Sequence, residues 1–247
     1  MFVTGLYALL FYIAALVLVI GVAVRVIRYS RVPSPLVIPT TPAPTTQTGV
    51  ALRMLREVTL FESLFKSNRW IWLFGYLFHF GMLIALLRHL RYFTAPVPQW
   101  VVMMQWMGIY AGMAMVIGLL GLWARRLLVD RVRYISAPSD HLMLALLAGI
   151  GITGLGMKYL AHPDIIGLKA FILGVLRFDW QPLPTDPLLL IHLFLVITLM
   201  LVFPYSKLLH APGIFFSPTR NMPDNARERR HLAPWAARLP LEPTHRS

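Results

Sequence analysis

Five apolar runs, each about as long as a helix needs to cross a bilayer, decide what this chain can become. A hydrocarbon core of about 30 Å takes about 20 apolar residues in a helix, and the runs lie at roughly 4–24, 70–92, 100–123, 140–160 and 187–209. In lipid a spanning segment must satisfy its own backbone N–H and C=O groups, which at these lengths only a helix does, and no period-two barrel pattern competes. Of the 247 residues 57% are hydrophobic and 13% charged, about half the charge of a soluble domain. Folding in water would leave large apolar patches exposed. The expected fold is all-α and integral to the membrane: a five-helix transmembrane bundle within 1–210, with a cytoplasmic tail at 211–247.

The first run reads as a span rather than a signal peptide, because it lacks a basic leader, is too long and has no small-residue cleavage site after it. Orientation follows from Lys and Arg. Eighteen of the 23 lie in 25–69, 124–139 and from Lys207 onward; Arg88, Arg91, Lys158, Lys169 and Arg177 lie on the other side. The positive-inside rule then puts the N-terminus outside and the C-terminus in the cytoplasm. The formal charge of +13 is spread between apolar runs, where it faces anionic headgroups, and no basic helix or stacking module points to nucleic acid.

Between the first two spans runs a cytoplasmic linker, 25–69. Its proline-punctuated part at 33–46 reads as extended, and an amphipathic stretch at 50–66 suits the inner membrane surface or a docking partner. The segment 164–180 is too short to span and reads as an interfacial helix on the outer face. The Pro- and Arg-rich tail reads as irregular. There are no cysteines, which excludes disulfides, thiolate-held iron–sulfur clusters and covalently attached c-type haem. Any resident redox group must be held by other ligands.

Histidine is the ligand type that stands out. Polar groups inside spans are functional candidates. His79 and His89 share the second span, and His192 and His210 share the fifth. His141 and His162 lie near span ends, where interfacial water satisfies them, and His231 and His245 lie in the tail. A lone histidine in a span is ordinarily a hydrogen-bonded packing residue; two on each of two helices fit two haems, each clasped by two imidazoles from neighbouring helices. The second and fifth spans are antiparallel, so His79 pairs with His210 near the cytoplasm and His89 with His192 near the outside. At 1.5 Å rise the separations are about 15 Å and about 27 Å. At 100° per residue the pair His192 and His210 falls on one helix face, while the pair on the second span diverges by about 80°. Tilt and a kink expected at Pro204 must absorb the mismatch.

These spacings, ten residues and eighteen, resemble the cytochrome b gamma subunit of respiratory nitrate reductase over roughly 70–212. The likeness extends to the segment LVFPYSKLLH ending at His210, to five spans and to a basic RVR before the fourth. It implies two b haems on His79, His210, His89 and His192, and electron transfer to or from the quinone pool. Within that superfamily the segment ESLFKSNRWIWLFGYLFHFGM and the long first loop are most similar to the membrane cytochrome b subunit of the Dsr sulfur-metabolism complex. That narrower likeness implies a prokaryotic inner-membrane complex with further subunits. One of them would be a cytoplasmic iron–sulfur protein related to heterodisulfide reductase catalytic subunits. The nitrate reductase family places a lysine early in the third span at its quinol site, whereas this chain reads QWVVMMQWMGIY there. Arg88 is the cation next to an expected ligand: it reaches a haem propionate or a quinone carbonyl, or it snorkels to the interface. Lys207 and Arg69 are inner-side candidates for propionates.

Two other readings compete. A transporter would use the intramembrane histidines as a proton relay, but no repeat and few acidic residues within the spans accompany them. A structural anchor would hold one haem or none. The visible spectrum and the haem stoichiometry separate all three.

Overall fold

The five apolar runs are helical throughout most of their length in the computed structural model, which describes residues 1–33, 38–225 and Arg238. In chain order the helices are α1 (Phe2–Arg31), α2 (Gln47–Leu60), α3 (Glu62–Ser67), α4 (Arg69–His89), α5 (Gln99–Met103), α6 (Gln105–Leu128), α7 (Asp130–Ile135), α8 (Pro138–Gly156), α9 (Ile165–Arg177), α10 (Pro187–Val202), α11 (His210–Gly213) and α12 (Pro218–Asn221). No strand occurs among the described residues. Helices α1, α4, α6, α8 and α10, with the short turns that extend three of them, are long and apolar enough to cross a membrane. The protein is a multi-pass membrane protein, and a belt of large side chains such as Leu16, Val19, Leu83, Leu86, Ile117 and Phe194 is left for lipid.

The helix ends are written locally. Asn68 caps α4 by accepting the Ile71 N–H at 3.0 Å, and Asp186, followed by Pro187, accepts the Leu189 N–H at 3.0 Å to start α10. Asp164 does the same for α9 through Ile166 and Gly167. Such caps are each worth ~1 kcal/mol. Asp140, a buried carboxylate, accepts the Ala137 N–H at the start of α8 and pairs with Arg126 from the end of α6 at 3.4 Å.

The chain forms two compact bodies. The first comprises Met1–Gly21 and Phe61–Ser206. Its most extensive pairing joins α4 to α6, and two glycines set the distance. A β-carbon at Gly81 would stand 2.6 Å from the Ala111 carbonyl oxygen, and one at Gly118 would stand 2.6 Å from the Phe74 oxygen and from the Phe78 nitrogen. The two backbones touch, as small residues permit in membranes, where close packing substitutes for the missing hydrophobic drive. From there α6 packs on α8 and α8 on α10. A buried cluster ties Ala8 of α1 to Leu168, Phe171, Ile172 and Val175 of α9 and to Leu189 and Leu193 of α10. The Tyr7 and Tyr12 hydroxyls fasten α1 by donating to the Leu190 and Val175 carbonyls at 2.9 and 2.7 Å. Helix α9, expected as an interfacial helix, buries one side in this cluster because its apolar residues recur at helical spacing.

Several boundaries differ from the sequence expectation. The third span does not start at residue 100 as one helix: a turn at Met104 separates α5 from α6, which runs on to Leu128 and carries Arg125 and Arg126 in its last turn. The basic RVR lies within the short helix α7. The fifth span ends early. Pro204, which has no N–H to donate, lies in a tighter turn at Phe203–Tyr205, and Ser206 is extended with φ −99° and ψ 169°.

The second body comprises Val22–Leu60 and Lys207–Ser247. Residues 38–46 are non-helical, as expected of the linker, and α2 buries Val50 and Met54. Arg220 pairs with Glu57 at 3.0 Å, the Thr40 N–H donates to the Thr219 carbonyl, and Tyr29 and Phe216 stack at an angle. The tail is helical in short turns through Asn221 rather than irregular there; most of the tail beyond Asn225, with His231 and His245, lies outside the described residues.

Candidate functional site

Each histidine of the expected set has its Nδ1 against an oxygen. On α4 the His79 Nδ1 lies 2.8 Å from the Gly75 carbonyl and the His89 Nδ1 lies 2.6 Å from the Ala85 carbonyl, both one turn back along the same helix. The His210 Nδ1 lies 2.9 Å from the Lys207 carbonyl. A carbonyl only accepts, so these three rings carry the proton on Nδ1, and in the neutral form the lone pair is on Nε2. This is the tautomer that a metal ligand bound through Nε2 requires.

His192 is buried and reaches the same state by another route. Its Nδ1 lies 2.9 Å from the Thr153 hydroxyl of α8, and that hydroxyl lies 2.7 Å from the Gly149 carbonyl. Gly154 leaves the ring space: a β-carbon there would stand 3.4 Å from Cε1. His89 and His192, the expected outer pair, both belong to the first body, His192 buried and His89 exposed.

The inner pair is arranged differently. His79 is half-buried on α4 in the first body, with the Phe61 ring edge-on at 5.0 Å and Phe78 at 4.7 Å. Phe61 adopts φ 51°, a left-handed conformation that costs a residue with a side chain energy and that collects near functional sites. His210 is exposed and belongs to the second body. The expectation that His192 and His210 share one helix face fails, since it assumed an unbroken helix across eighteen residues, and the break after Val202 resets the rotation.

Arg88 does not extend freely to the interface. Its side chain lies across Gly108 of α6, where a β-carbon would collide with its Cδ and stand 3.2 Å from Nε. With Arg91, Gln105, Val97, Val101 and Val102 it lines a cavity of about 60 Å³. That is room for a few waters or one end of a ligand, lined by three side chains that donate hydrogen bonds. Arg69 lies over the Phe65 ring at 5.7 Å. His141 accepts from the Trp123 indole at 3.1 Å, and His162, with φ 47°, closes the turn Met157–Ala161 that extends α8. Both serve structure at span ends.

Thr153, Gly154, Gly108 and Phe61 were not singled out from the sequence. Thr153 was the most legible of them, being the one hydroxyl inside the apolar stretch GIGITGLG, which reads otherwise as a close-packing surface.

The donor set fits haem. Two neutral imidazoles with Nε2 lone pairs, offered by a chain without thiolates, suit a low-spin b-type iron. Among the described residues no group of three or more histidines or acids gathers as it would around a bare metal ion.

Comparison with known proteins agrees in kind. Residues 57–226 match the family described as nitrate reductase gamma subunit. The chain is also similar to the Hdr-like menaquinol oxidoreductase cytochrome b-like subunit of Archaeoglobus fulgidus, with 37% identity covering 93% of this chain and 83% of that protein. Its counterpart in Archaeoglobus profundus shows 35% identity, covering 91% and 80%.

Proposed function

Because the chain belongs to the nitrate reductase gamma-subunit family, we propose that it is a di-haem cytochrome b that passes electrons across the membrane between the quinone pool and a cytoplasmic iron–sulfur subunit. The observation that carries this reading is the state of the four histidines: each presents Nδ1 to an oxygen, and His89 and His192 belong to one compact body. His89 and His192 would hold the outer haem and His79 and His210 the inner one. Two haems bound there would supply one-electron carriage between the faces.

The chain's own residues do the rest. The Nδ1 hydrogen bonds fix the tautomer and the ring orientation before any iron is bound. Arg88 and Gln105 line one cavity and would offer N–H donors there to a quinone oxygen or a propionate. On this reading Arg88 would supply the cation that the start of the third span lacks. Since both relatives are menaquinol oxidoreductase subunits, the quinone on this reading is a menaquinone. A chain with no cysteine cannot itself hold a thiolate cluster, so the next carrier on the cytoplasmic side is another subunit of an Hdr-like complex. The resemblance around 62–82 favours a complex of dissimilatory sulfur metabolism.

Redox-titrated visible spectra of the purified, haem-supplied protein test this. Two low-spin b haems per chain are expected. His89→Ala and His192→Ala should each remove the same single haem, and His79→Ala and His210→Ala the other. A fully supplied protein without low-spin bands would end the reading, and so would a stably folded single variant that loses both haems.

A further inference from the structure

His79, His89 and His210 each take the Nδ1 acceptor from their own stretch of chain. His192 reaches across to α8, a helix that supplies no ligand. The Thr153 hydroxyl has one hydrogen and lies 2.7 Å from the Gly149 carbonyl and 3.1 Å from the Ile150 carbonyl. Both carbonyls only accept, so the hydroxyl hydrogen points to them and the oxygen lone pairs face His192 Nδ1 at 2.9 Å. The ring therefore donates to the Thr153 oxygen. Beside the hydroxyl, Gly154 gives the imidazole a face with room for no more than a methyl group.

We propose that Thr153 is the positioning residue of the outer haem: its hydroxyl, polarised by the α8 backbone, holds His192 with Nε2 toward the iron and tunes how strongly that nitrogen donates. The inference rests on the ligand assignment above and adds to it a residue on a third helix. An acceptor at Nδ1–H pushes electron density onto Nε2, which favours ferric over ferrous iron. Removing it raises the reduction potential of that haem alone. The outer haem is thereby sensitive to how α8 packs on α10, whereas the His89 Nδ1 acceptor comes from its own helix.

The test is a redox titration, with low-temperature electron paramagnetic resonance, on the full-length haem-loaded protein carrying Thr153→Val, Thr153→Ser or His192→Ala. Valine keeps the volume and removes the acceptor; serine keeps the acceptor. Expected for Thr153→Val are two retained haems, an upward shift of one of the two potentials, and altered g-values for the same component. Thr153→Ser should restore both to wild-type values. Unchanged potentials and g-values in Thr153→Val, or a serine variant that behaves like valine, would overturn the role of Thr153. The His192→Ala arm separates the two failures: if it retains both haems the ligand assignment falls, and if it loses one while Thr153→Val is silent only the present inference falls.

Discussion

Arg88 is held where it is by what its neighbour lacks. Without a side chain at Gly108 the guanidinium lies along α6 and lines the small cavity with Gln105; any β-carbon would push it out. A charge-assisted hydrogen bond lost at such a place is worth about 1.5–3 kcal/mol, roughly a tenfold or greater loss of affinity. Gly108→Ala should therefore raise KM for a quinol substrate by about tenfold while both haem bands remain. Steady-state kinetics beside a haem spectrum check it, and an unchanged KM would remove Arg88 from the quinol site. The same contrast shows how far residue types can be read without coordinates. His79, His89 and His192 were visible because a histidine inside an apolar run is anomalous on its face. Gly108, Thr153 and the left-handed Phe61 were not, since each acts through a neighbour on another helix or through its backbone, and one-dimensional spacing records neither.

Helix α4 carries two of the expected ligands, and its distance from α6 is fixed by contact between backbones at Gly81 and Gly118. A methyl group at either glycine meets main-chain atoms, which cannot rotate away, so the helices must part. Overpacking of this kind costs about 1–3 kcal/mol. Gly118→Ala should lower the thermal midpoint of the detergent-solubilised protein and weaken haem retention, whereas Ala114→Gly on the same helix should leave haem in place. A Gly118→Ala protein with wild-type melting and haem content would show that the contact is compliant. The spans were legible because apolar length is itself the physical requirement. Their internal breaks were less so: proline at 204 announced a kink, but not that the helix would end and leave His210 in a separate body. The break at Met104 has no sequence mark. The segment of α9 was legible as too short to span, but not which of its residues pack against α1 and α10.

Across the whole molecule, orientation decides which of the two proposed haems would meet which partner, and the basic residues are what argues for it. Eighteen of 23 lie on the side assigned to the cytoplasm, and a reversed chain would carry them through the bilayer against the charge bias that sets topology. The absence of cysteine makes the chain its own background-free reporter. Asp179→Cys, in the exposed turn after α9, should react with a membrane-impermeant maleimide in intact cells. Tyr134→Cys, at the exposed end of α7, should react only after the membrane is opened. The reverse pattern would place His89 and His192 on the cytoplasmic side. The Arg88 cavity would then open toward the iron–sulfur partner instead of away from it, and the order of carriers proposed here would have to run through the bundle in the opposite sense.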